Sequence, residues 1–65
     1  MSPGSPPRPE GRILVEFTRN GQWLKCSAVD EATGREASAA GPATDPSGVQ
    51  RLAVAKLKRL LAAAG

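Results

Sequence analysis

Arg12 to Asp30 reads RILVEFTRNGQWLKCSAVD, and the fold is decided by how this stretch turns back on itself. Its first half alternates, with Ile13, Val15 and Phe17 on one face and Arg12, Leu14, Glu16 and Thr18 on the other, in residue types that favour strands. The run ends at Asn20-Gly21, the strongest short hairpin signal, because a type I′ turn needs positive φ at both central positions and Asn and Gly tolerate it best. A two-residue loop at Asn20-Gly21 sets Arg19 opposite Gln22, Phe17 opposite Leu24, Val15 opposite Cys26 and Ile13 opposite Ala28. On the other face it sets Glu16 opposite Lys25, a favourable cross-strand charge pair.

Downstream of the hairpin, Asp30-Glu31-Ala32-Thr33-Gly34 reads as a turn with Gly34 in the left-handed position. Pairing Asp30 with Arg35 then sets Ala28 opposite Ala37 and Cys26 opposite Ala39. Arg35 to Ala40 becomes a third strand, thin in alanine and serine, at a sheet edge ended by Gly41-Pro42. Asp45-Pro46 reads as a helix N-cap followed by proline at the first helical position, with Ser47 as the competing cap. To about Ala63 the pattern is helical, with Val49, Leu52, Ala53, Leu57, Leu60 and Leu61 on one arc; Lys56 lies within its span and must snorkel outward. The expected fold is α+β: a three-stranded antiparallel meander in order 1-2-3 with one C-terminal helix packed on one face (βββα). Ile13, Val15, Phe17, Leu24, Cys26, Ala28, Ala37 and Ala39 are expected to meet the helix.

Residues 1 to 11, MSPGSPPRPEG, hold four prolines and two glycines and nothing able to anchor a core. A disordered tail is expected there, and a single domain from 12 to 65. At this length one apolar core is marginal unless a disulfide, a metal or another subunit supplements it. The chain has one cysteine and no histidine, which excludes an intramolecular disulfide and the usual zinc ligand sets and leaves self-association open. No apolar run reaches membrane-spanning or signal-peptide length, so a cytoplasmic protein is expected.

Candidate chemistry is sparse. Cys26 points inward with no histidine to activate it, which reads as a core thiol, and no phosphate-binding loop is present. Catalytic, cofactor and metal residues are therefore expected to be none, with no small-molecule substrate. Charge is unevenly placed: from Val49 to Gly65, Arg51, Lys56, Lys58 and Arg59 stand with no acid, while five cations and six acids precede them. Arg51, Lys58 and Arg59 are candidate anion contacts, either a solvated helix face or a weak nucleic-acid surface; a membrane-lying helix is disfavoured because its apolar arc is needed by the sheet. Trp23 falls on the outer sheet face, and an exposed indole beside aliphatics marks an interface. With Leu14, Val29, Glu16 and Lys25 it forms the candidate interface, for a protein partner or a second copy. The alternative is that the proline-rich tail folds back over it.

Two resemblances rest on these residues. Val15-Glu16-Phe17, the Gly21 to Lys25 spacing G-x-x-x-K, Ala28 to Gly34 as A-V-D-x-x-T-G, and Gly41-Pro42 before a basic helix resemble a group of short uncharacterised bacterial proteins, which implies a small domain without known activity. Gly21-Gln22-Trp23 with Asp30 to Arg35 also resembles the three-stranded DNA-binding sheets of phage integrase arms and related plant transcription-factor modules. Those modules place cations on the exposed sheet face. Here that face carries Glu16 and Glu36 against Lys25.

Overall fold

The computed structural model describes residues 12–64. The segment expected to form the tail, 1–11, lies outside them. Three strands, β1 (Ile13–Asn20), β2 (Trp23–Asp30) and β3 (Glu36–Pro42), form an antiparallel sheet in order β1-β2-β3, and α1 (Pro46–Ala64) follows. This is the expected βββα architecture. No helix among the described residues is long and apolar enough to cross a membrane.

The first hairpin departs from the expected register. Asn20 pairs with Trp23, Phe17 with Cys26 and Val15 with Ala28, so the loop is Gly21-Gln22 rather than Asn20-Gly21. Gly21 has φ of 63°, and no described non-glycine residue has positive φ. A type I′ turn would have forced Asn20 into that region as well. Sliding the loop by one position leaves a single demanding φ, at the first central residue, which is the glycine pattern of a type II′ turn. Every cross-strand partner thereby moves by two, and a shift of two preserves which face each side chain occupies. The charge pair does not survive: Glu16 lies opposite Ser27 and Lys25 opposite Thr18.

The turn predicts its own test. A Cβ built on Gly21 meets nothing within 4 Å, so the cost of a side chain there lies in the backbone alone. Gly21→Val should lower unfolding stability by about 1–3 kcal/mol, whereas Asn20→Val should change it by less than about 0.5 kcal/mol. Chemical denaturation of both variants checks this; an Asn20→Val loss as large as that of Gly21→Val would restore the type I′ assignment.

The second turn forms as expected. Asp30 N–H donates to the Arg35 carbonyl at 2.8 Å, Gly34 N–H donates to the Asp30 carbonyl at 2.8 Å, and Gly34 has φ of 77°. The Asp30 carboxylate is buried, and its Oδ2 accepts from the Thr33 hydroxyl at 2.7 Å and the Thr33 N–H at 3.1 Å. β3 runs past its expected end, for Gly41 pairs with Leu24 and Pro42 with Trp23. Asp45 is the cap: its Oδ1 accepts from Gly48 N–H at 3.1 Å, one of the amides a helix start leaves without a partner.

The core holds Leu24, Cys26 and Ala28 from β2, Ala37 from β3, and Val49, Ala53 and Leu57 from α1. Helix α1 packs chiefly on β3 and next on β2, while β1 packs chiefly on β2. Of the three β1 residues expected beneath the helix, only Ile13 packs against the core; Val15 and Phe17 stay exposed. Leu52, expected on the buried arc, is 59% exposed, and Leu60 is exposed as well. Two features draw the helix sideways. The link from Pro42 to Pro46 is three residues long, closed by a hydrogen bond from Asp45 N–H to the Pro42 carbonyl at 3.0 Å. Ala37, Ala39 and Gly41 then offer so little bulk that the helix seats directly on the strand, and an ideal Cβ at Gly41 would lie 2.8 Å from Val49 Cγ2. The thin strand is the seat of the helix.

Candidate interaction surface

Trp23 points away from the helix and is 62% exposed. Its rung neighbours are Asn20 and Pro42. Leu14 pairs with Val29 six rungs away, roughly 20 Å at strand spacing. Between the two ends lie Glu16, Ser27 and Ser38, and then Thr18, Lys25 and Ala40. The outer face thus does not bring Trp23 together with Leu14 and Val29, the neighbours expected for it. It has an indole end and an aliphatic end separated by polar rungs.

Val15 and Phe17, expected in the core, are exposed on the helix side of β1, and Leu14 is exposed on its outer side as expected. The signal was present: Ile13-Leu14-Val15 is an unbroken apolar run, the pattern of a strand covered on both faces rather than on one.

The two sheet edges differ in how their main chain is used. Ala43 N–H donates to the Gln22 carbonyl and Asp30 N–H to the Arg35 carbonyl. Alternation along an antiparallel ladder therefore turns the main-chain groups of Glu36, Ser38, Ala40 and Pro42 to the open side of β3. That edge is blunted. Lys56 Nζ donates to the Ser38 carbonyl at 3.0 Å, Asp45 N–H occupies the Pro42 carbonyl, and Pro42 has no N–H to offer. Lysine and proline are the usual protections of a sheet edge. On β1, the Glu31 N–H bond to the Arg12 carbonyl at 3.3 Å sets the phase, so Ile13, Val15, Phe17 and Arg19 turn their N–H and C=O groups outward. No hydrogen bond among the described residues uses those main-chain groups.

Arg51, Lys58 and Arg59 are exposed, and their helical positions place them on the side of α1 away from the sheet. Cys26 is fully buried, and burial pushes its thiol pKa up, opposite to what a reactive thiolate needs. A shallow groove of about 490 Å³ beside the start of α1 is lined by Ala40, Pro42, Leu52 and Ala55 among others. Its carboxylate, Asp45, is engaged in capping the helix.

A family model described as a domain of unknown function, DUF6898, matches residues 10–64. The chain belongs to that family. The match takes in every strand and the whole helix, so the βββα unit is the family's domain. Searches of curated proteins and of solved structures gave no match.

Proposed function

We propose that the chain is a small non-enzymatic protein-interaction module of the cytoplasm that acts through its sheet, with β1 as the docking strand. The observation that carries this reading is the state of β1: an eight-residue edge strand whose Leu14, Val15 and Phe17 are exposed on two faces. Soluble domains protect such edges unless they are used. Trp23 offers a second anchor at the far end of the outer face, where aromatic side chains are favoured contacts, and Glu16 and Lys25 between the ends would orient a partner more than hold it. The test is cross-linked capture from the native lysate with the wild-type chain, with Leu14→Thr/Phe17→Thr and with Trp23→Ala. The altered positions are exposed, so the fold should persist. Partners held by the wild type should fall at least tenfold with the β1 variant; an unchanged partner set would overturn the reading.

A nucleic-acid surface is the second reading, favoured by the exposed Arg51, Lys58 and Arg59 on a helix that carries no acid. Three phosphate contacts would make any such affinity fall roughly 40-fold between 50 and 200 mM salt. Sub-micromolar, sequence-dependent duplex binding by the same preparations at physiological salt would make it the better account.

A further inference from the structure

Resting on the interaction reading, we propose that the occupant of the β1 edge is a second copy of this chain, paired antiparallel with its own β1 about a two-fold axis through Val15. The product is a six-stranded sheet in order β3-β2-β1-β1-β2-β3 with both helices on one face. The two edges of the sheet are treated differently: among the described residues, outward main-chain groups of β3 are engaged by Lys56 and Asp45, and those of β1 by none. A mate for β1 must therefore be a strand that is itself open along its edge. The chain supplies one in β1.

The register follows from residue chemistry. Because Ile13, Val15, Phe17 and Arg19 turn their main-chain groups outward, a two-fold pairing must set these odd positions against one another. An axis through Glu16 would put two carboxylates opposite each other, and one through Phe17 would set Val15 against Arg19. An axis through Leu14 leaves Phe17 beyond the partner strand, which begins at Ile13. With the axis through Val15, valine meets valine, Ile13 meets Phe17 on both sides, and Leu14 lies against the stem of Glu16. Arg19 then falls outside the paired stretch. Its Nε is held by the Gly21 carbonyl at 2.9 Å, which keeps the charge at the hairpin tip. So short a paired strand belongs to the small class of interfaces, and a dissociation constant on the order of micromolar is expected.

Val15 also supplies the decisive variant. Its N–H faces away from β2 and has no partner among the described residues, so Val15→Pro leaves the β1–β2 ladder intact while removing a central donor from each copy. Sedimentation equilibrium from about 1 to about 500 μM should show the wild type passing from monomer to dimer, and Val15→Pro should weaken that association at least 100-fold. A circular-dichroism melt shows whether the proline variant is folded; if it is not, Val15→Lys, which adds an edge charge without touching the backbone, takes its place. Residues directly opposite in a bonded pair have Cα atoms about 5.5 Å apart, within disulfide reach. Val15→Cys should therefore oxidise to a covalent dimer, with the buried Cys26 left out of the reaction. A wild type that stays monomeric throughout, or a dimer indifferent to Val15→Pro and not trapped by Val15→Cys, overturns the pairing. The interaction reading is judged separately: a monomeric chain that still loses its captured partners with the β1 variant has a different occupant on the same strand.

Discussion

Gly41→Val should remove much or all of the stability of the fold. Gly41 is buried opposite Leu24, and an ideal Cβ there would already lie 2.8 Å from Val49 Cγ2. Val49 is itself buried in the helix seat, so its methyl cannot swing into open space. Two further methyl groups would lift α1 away from β3, and overpacking of this kind costs about 1–3 kcal/mol or more. A domain of this size holds only about 3–5 kcal/mol in total. Circular dichroism on heating should show either no transition or a midpoint lower by about 10–20 °C. Pairing the change with Val49→Ala should recover part of the loss, because the two side chains compete for one space and their effects are coupled. A Gly41→Val midpoint within about 3 °C of the parent would refute the direct seating of the helix on β3.

The second large effect distinguishes residues that one helical arc treats alike. Leu57 is fully buried, whereas Leu52 is 59% exposed. Leu57→Ala removes its side chain from the centre of the core and should cost about 2–5 kcal/mol, most of what the domain holds. Leu52→Ala should cost less than about 1 kcal/mol, since little of its surface leaves water on folding. Urea denaturation of both, with unchanged slopes, checks this; equal losses would mean that the helix is turned about its axis from the orientation seen. Both series belong at low micromolar concentration or below, because any self-association adds stability that rises with concentration.

Most of the candidate surface was legible as a set of faces and illegible as a set of neighbours. The period of two sent Trp23, Leu14, Glu16 and Lys25 to the outer face, yet the distance between Trp23 and Leu14 depends on a register that alternation cannot choose. Two registers differing by two residues bury the same side chains. The choice fell to the backbone of Gly21. The exposed row on β1 was missed because every apolar residue on the inner face was given to the helix, as though one helix covered three strands.

The sequence by itself determined the element order, the parity of each strand, the left-handed Gly34, and the Asp45 cap on α1. These rest on local chemistry: the alternation of side chains along a strand, the φ that glycine alone takes freely, and the orphan amides of a helix start. Tertiary structure decided where the helix lies across the sheet. That position balances the reach of a three-residue link and the low bulk of Ala37, Ala39 and Gly41 against the apolar surface of β1. A single helix spans little more than two strands, because strands are about 4.8 Å apart and a helix with its side chains is about 10 Å wide. Seated on β3 and β2 it leaves Leu14, Val15 and Phe17 of β1 exposed among the described residues, and so a strand with four large apolar side chains became an edge of the sheet.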